Sequence, residues 1–189
     1  KTLSWKEIGS EAYDGQLLPD NIERGLEGTT FWEPPGLTFP FSAHVAVIDI
    51  DKETGEVSLR NYFAVDDCGN VINPTLVEGQ VHGGIVQGLG QAMCEHAIYE
   101  DETGQLVNGS YMDYQMPRAD DFPHFNIEFN EDAECTTNLL GAKGCGEAGT
   151  VASTTAYVNA VLNALKDYNT EDLNMPINPK KVWEIINND

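Results

Sequence analysis

Apolar and polar residues alternate through 42–50 (SAHVAVIDI), and the run is rich in β-branched side chains, so it predicts a strand. Asp51-Lys52-Glu53-Thr54-Gly55 then supplies turn chemistry, and 56–65 (EVSLRNYFAV) predicts the returning strand of a hairpin. The same turn chemistry recurs at Asp101-Glu102-Thr103-Gly104, between short strands expected near 96–100 and 105–108. Residues 75–97 change period: Val81, Ile85, Leu89 and Met93 recur at every fourth position and place one apolar stripe on a helix. A further strand is predicted at 124–130 (HFNIEFN). A second helix is predicted at 150–166, with Val151, Thr155, Val158, Leu162 and Leu165 sharing a face. A last short helix, 179–187, follows Pro176. Residues 1–40 read as an irregular, extended lead-in, because Pro34 and Pro35 exclude a helix interior. The pattern implies one domain over 1–189, a mixed α/β fold of the α+β type with helices packed on a largely antiparallel sheet.

With 41% hydrophobic residues the chain can bury a core, which excludes wholesale disorder. The net charge of −21, from 31 acidic and 10 basic residues, repels phosphate backbones and excludes a nucleic-acid partner. Taken alone, that charge suits an acidic interaction domain or solubility in high salt. No apolar run approaches the ~18 residues of a membrane span. Cys68, Cys94, Cys135 and Cys145 contain no CxxC, which argues against a zinc site or iron–sulfur cluster and favours reduced thiols in a cytoplasmic protein. The first residue is Lys1, so a preceding portion is expected, and no signal peptide is visible.

The first helix carries Gly79, Gly83, Gly84, Gly88 and Gly90. Each costs roughly 1 kcal/mol relative to Ala in a helix interior. Close approach of another backbone or a large ligand would compensate. The most informative run is Gly141-Ala142-Lys143-Gly144-Cys145-Gly146-Glu147-Ala148-Gly149-Thr150, a glycine-rich loop leading into a helix start. Such a loop exposes N–H groups beside the positive end of the helix dipole, where an anion or polar cofactor edge can bind. It is not a Walker loop, and a tight turn before a helix remains the alternative. Glu147, a single carboxylate among small residues there, is a candidate general base whose ionised form the dipole favours.

No metal-ligating set emerges. Glu78 and His82 stand at i and i+4 without HExxH and read as an ordinary polar face. His44, His96 and His124 are isolated. Asp49–Gly55 resembles a calcium loop, but Arg60 occupies the twelfth position, so a hairpin turn is expected. Asp66-Asp67-Cys68-Gly69-Asn70 reads as Asx-turn chemistry, with Cys68 and Cys145 as candidate exposed thiols beside glycines.

Several segments together carry a resemblance: PFSAHV (40–45), VDDCGNVINP (65–74), VEGQVHGGIVQGLGQ (77–91), NGSYMDYQMPRADDFP (108–123) and GAKGCGEAGT (141–150). In that order, and with Met175-Pro176-Ile177 and Val182-Trp183 in the tail, they resemble the molybdenum-binding large subunit of the xanthine dehydrogenase/aldehyde oxidase family. The likeness is greatest to its aerobic carbon-monoxide-dehydrogenase-like branch. It implies that the chain corresponds to the C-terminal part of such a subunit and is catalytically incomplete alone. By the same resemblance Glu147 is the base that takes a proton from a molybdenum-bound hydroxyl. The backbone of Lys143, Gly144, Cys145 and Gly146 would approach the cofactor, as would the glycine-rich helix around Gln87 and Gly88. The implied cofactor is molybdopterin cytosine dinucleotide with molybdenum, and the implied partners are the rest of the large subunit and subunits carrying [2Fe–2S] clusters and FAD. The implied reaction is oxidation of an aldehyde, an N-heterocycle or carbon monoxide.

Overall fold

A computed structural model describes residues 2–14, 16 and 18–187. The chain divides into two compact units, 1–34 and 35–189. The first contains a helix, α1 (Trp5–Asp14), where an irregular segment was expected. Its start is a capping box. Glu7 N–H donates to Ser4 Oγ at 3.3 Å, and the Glu7 carboxylate accepts from Ser4 N–H at 2.8 Å and from Ser4 Oγ at 2.7 Å. The S-x-x-E spacing carried that signal. The prolines exclude helix only further along, at Pro34 and Pro35.

In the second unit β1 (Phe41–Ile50) and β2 (Val57–Asp67) form the expected hairpin, pairing Val45 with Phe63 and Ser42 with Asp66. A shift between Val47 and Ile48 leaves Arg60 as the extra residue of a bulge. The connection is the predicted turn: Asp51 Oδ1 accepts Glu53 N–H at 2.8 Å. β3 (Phe125–Phe129) joins β2 in parallel, giving a mixed sheet ordered β1-β2-β3. The parallel pairing needs a crossover, and α2 (Pro74–Met93) lies within it. The Asp101–Gly104 turn forms, but the strands expected around it reduce to one bridge between Tyr99 and Leu106.

α2 starts with Pro74 after Asn73, whose Oδ1 accepts Leu76 N–H at 3.2 Å. It stops at Met93, short of residue 97, and Ile177 N–H takes the Ala92 carbonyl at 2.7 Å. Val81, Ile85 and Leu89 are fully buried, as the stripe predicted. α3 (Ala148–Ala164) and α4 (Pro179–Asn187) complete the layer against the inner sheet face, around a core that includes Tyr62, Phe125, Tyr157, Val161 and Val182.

The buried face of α3 is only in part the expected one: Leu165 lies in the core and Val158 packs against it, but Val151, Thr155 and Leu162 face outward. Gly149, Ser153, Tyr157 and Val161 are buried, while Val151 is 71% exposed. Close approach of α2 selected the face with small residues over the more apolar one. A Cβ on Gly84 would lie 3.1 Å from Gly149 Cα. One on Gly88 would overlap Ser153 Oγ and stand 2.8 Å from Thr150 O, and one on Gly149 would overlap the Val81 carbonyl. The helices are laced together where they touch: Thr150 Oγ1 donates to Gly84 O and Thr154 Oγ1 to Gly88 O, each at 3.0 Å. Another backbone therefore accounts for Gly84 and Gly88, whereas around Gly79 and Gly83 there is open space within 4 Å.

Candidate cofactor-binding site

The glycine-rich loop is sewn to the end of β2. Asp67 Oδ1 accepts Gly69 N–H at 2.8 Å, the predicted Asx turn. Gly69 has φ +64°, and a Cβ there would overlap the Gly141 carbonyl, so only glycine lets the two segments lie together. Asn70 N–H donates to Gly141 O at 2.9 Å and Lys143 N–H to Cys68 O at 2.8 Å. The Lys143 ammonium turns inward onto Asp67 Oδ2 at 2.7 Å, with the two side chains 12% and 9% exposed. Lys143 thus anchors the loop with both its side chain and its N–H.

Beyond Lys143 the loop opens. Gly144 N–H makes a long bond of 3.3 Å to Thr38 Oγ1. Among the described residues, the N–H groups of Cys145, Gly146 and Glu147 donate to no protein acceptor. Nothing lies within 4 Å of a Cβ built on Gly144 or Gly146. Glu147 is the N-cap of α3, and its carboxylate makes no capping bond and is exposed. The side chain that would ordinarily close the helix end is left free to act elsewhere.

α2 supplies the other wall. Gln80 Nε2 donates to Gly146 O at 2.9 Å and so fixes the peptide before Glu147. Gln87, exposed, places its Oε1 3.4 Å from Thr150 Oγ1 in the first turn of α3. Gly83, with open space around it, lies on the same face between Gln80 and Gln87. The fold therefore brings Gln87 to the loop, whereas Gly88 is buried at the helix crossing. Gln80 went unread in the sequence, although its i, i+7 spacing from Gln87, off the Val81–Ile85–Leu89 stripe, was a usable signal.

Beneath the site lies a buried polar group that the sequence also concealed. Ser42 Oγ donates to Asp66 Oδ1 at 2.6 Å and lies 3.4 Å from the Ala148 carbonyl. His44 Nδ1 pairs with Tyr62 Oη at 2.8 Å, and its Nε2 stands 3.5 Å from Asp66 Oδ1. His44 is thus part of a network and not isolated. Its ring meets Tyr62 edge-on, and burial, with Asp66 nearby, drives the Tyr62 phenol far above its ordinary range. Glu78 and His82 stand 3.9 Å apart at the surface, and no cluster of three or more metal-ligating side chains occurs among the described residues.

The Lys143 hydrogen bond holds the Asp67 carboxyl below the usual carboxylate range; burial opposes it, and the Gly69 N–H and the Lys143 charge add to it. A carboxyl lowered from its unfolded value of ~3.9 stabilises the fold fully above that value, and the contribution disappears as pH falls through the folded one. Asp67→Asn is expected to cost about 1–3 kcal/mol at pH 7. Urea unfolding at pH 7 and pH 3 checks this: the penalty should shrink at the lower pH, and equal penalties would refute the ion-pair origin.

These features fit the edge of an anionic, polar cofactor: unpaired N–H groups at a helix N-terminus, glycines that leave room, and a free carboxylate. Residues 1–123 match the family of molybdopterin cofactor-binding domains. The chain belongs to that family. It is 35% identical to the carbon monoxide dehydrogenase large chain of Afipia carboxidovorans over 98% of its own length and 22% of that protein's. It is 38% identical to the nicotine 6-hydroxylase large subunit of Paenarthrobacter nicotinovorans, over 90% of this chain and 21% of that one. A crystal structure of a Cu,Mo-CO dehydrogenase in its carbon-monoxide-reduced state superposes with a TM-score of 0.85 at 34% identity, covering 97% of this chain and 22% of that one. The chain thus spans about a fifth of the length of these relatives. Among the described residues, no helix of this molybdopterin-binding domain is long and apolar enough to cross a membrane.

Proposed function

We propose that this chain is the part of a molybdenum-dependent hydroxylase or dehydrogenase that carries the catalytic base, Glu147. The observation that supports it best is the uncapped, exposed Glu147 carboxylate at the N-terminus of α3, beside the unpaired N–H groups of Cys145 and Gly146. A bound molybdenum–pterin group would supply oxygen activation and a two-electron acceptor. Glu147 would take and hold the proton released at its carboxylate oxygen. The backbone at Gly144, Cys145 and Gly146 would border the group, with Lys143 holding the loop through Asp67. Gln87 and Gln80 would line the α2 side. Gly88 would contribute by setting the distance between α2 and α3.

The cofactor is proposed to be the cytosine dinucleotide form. Electrons would leave to [2Fe–2S] and FAD subunits in a cytoplasmic complex acting on an aldehyde, an N-heterocycle or carbon monoxide. The remainder of the large subunit would cover the outer sheet face. There the register places Ala43 opposite Val65 and Val45 opposite Phe63, so that Phe41, Val45, Val47, Phe63 and Val65 form an exposed apolar patch on a strongly acidic chain.

Elemental analysis tests the assignment. The complete assembly is expected to hold molybdenum, and this chain alone none, because the open loop forms only one side of a site. An assembly that turns over its substrate without molybdenum would reject the reading.

A further inference from the structure

Two segments cross the end of α2. Ile177 N–H takes the Ala92 carbonyl at 2.7 Å, and a Cβ on Gly90 would stand 2.6 Å from the Pro117 ring. With the start of β2 and the middle of α3, these crossings enclose a cavity of about 400 Å³, the size of a small-molecule site. Leu59, Phe122 and Ile177 give it an apolar wall. Cys68 is buried and not exposed as expected, and it is Cys94 that borders this space. Tyr157 reaches the cavity from α3 and is 1% exposed. Among the described residues its hydroxyl has no hydrogen-bond partner, yet it is not sealed in the core: it is what Tyr157 shows to the cavity. Buried hydroxyls are normally paired, so one left open on a cavity points to a ligand. Burial, with Cys94 nearby, drives the Tyr157 phenol far above its ordinary range, so it stays a neutral donor and acceptor.

At the mouth stand the exposed side chains of Glu56 and Asp120, whose carboxylates have no partner among the described residues. Asp121 beside them holds Arg118 N–H at 2.8 Å. No Lys, Arg or His lines the cavity, which disfavours an anion. The apolar wall and the absence of a metal-ligating cluster among the described residues disfavour a bare metal ion. We propose that this cavity is a binding site for a small amphipathic amine. Its ammonium group sits at the mouth with Glu56 and Asp120, its apolar body lies along Leu59, Phe122 and Ile177, and a hydroxyl at its far end bonds to Tyr157 Oη. Tyr157 stands ten residues beyond Glu147. That is about 15 Å along α3, so the amine is held apart from the proposed base. This inference does not depend on the molybdenum reading.

Isothermal titration calorimetry on the complete assembly tests it, with tyramine as the probe and phenethylamine and para-ethylphenol as its two truncations. Tyramine is expected to bind saturably. Phenethylamine lacks the hydroxyl and should bind about three- to tenfold more weakly, and para-ethylphenol lacks the charge and should bind about tenfold more weakly. Tyr157→Phe should lower tyramine to the affinity of phenethylamine and leave phenethylamine unchanged. Glu56→Gln combined with Asp120→Asn should remove the advantage of tyramine over para-ethylphenol. Absence of tyramine binding, equal affinity for the three probes, or tyramine binding at full strength in both variants would each overturn the proposal. If Tyr157→Phe fails to fold, the double carboxylate variant, whose changes lie on the surface, decides alone.

Discussion

Glu147→Gln is expected to lower kcat of the complete enzyme by about 10²–10⁴-fold, the usual contribution of a positioned general base. The substitution keeps the shape of the side chain and removes its ability to accept a proton. Nothing else in the site should move. The carboxylate makes no capping bond to α3, and the peptide before it is held by Gln80 through the Gly146 carbonyl. Thr150 N–H and Val151 N–H both use the Glu147 backbone carbonyl, at 3.1 Å each, which the amide leaves intact. Folding stability and molybdenum content should therefore be unchanged while turnover collapses. Steady-state kinetics with elemental analysis on the same sample separate the outcomes. Turnover within a few-fold of the parent at equal molybdenum would remove Glu147 from the base role. Loss of molybdenum along with turnover would make it a residue of cofactor retention instead.

A Gly149→Ala change should destabilise the fold by about 1–3 kcal/mol, in spite of the ~1 kcal/mol that alanine gains over glycine in a helix. The new methyl would overlap the Val81 carbonyl and stand 2.8 Å from Ile85 N, both backbone atoms of α2 that no rotamer change can move aside. The helices would have to part, which would stretch the Thr150–Gly84 and Thr154–Gly88 bonds. Gly83→Ala is the matched control on the facing helix. Its Cβ meets nothing within 4 Å, so the same substitution should stabilise this chain by about 0.5–1 kcal/mol. Urea midpoints that shift in opposite directions would establish the close crossing, and two shifts of the same sign would refute it.

Both results bear on how much was legible beforehand. Local periodicity located β1, β2, β3, α2, α3 and α4, because a half-buried strand alternates and a core-facing helix repeats about every fourth residue. It also identified the buried stripe Val81–Ile85–Leu89 correctly. On α3 it succeeded only in part: of the expected face Val151, Thr155, Val158, Leu162 and Leu165, the core took Leu165 and partly Val158, while packing chose Gly149, Ser153 and Tyr157 over the rest. The closest helix approach rewards absence of side-chain volume, which a hydrophobic pattern does not weigh. It missed α1 because the prolines outweighed the Ser4–Glu7 capping signal. The candidate base and its loop were visible as a run of small residues around one carboxylate. The wall opposite them was not, since Gln80 and Gln87 acquire meaning only when α2 lies across the start of α3.

The amino-acid order by itself determined which segments coil or extend, that Glu147 begins a helix, and that a family-wide set of segments recurs here, since each depends on neighbours a few residues away. Tertiary structure alone decided that β3 runs parallel to β2, that Lys143 turns inward to Asp67, and that His44 is sealed against Asp66 and Tyr62. These contacts join positions 18 to 76 residues apart in the chain. Their partners are chosen by how the layers stack and by which buried polar atoms remain to be satisfied, and neither quantity exists until the chain has closed on itself.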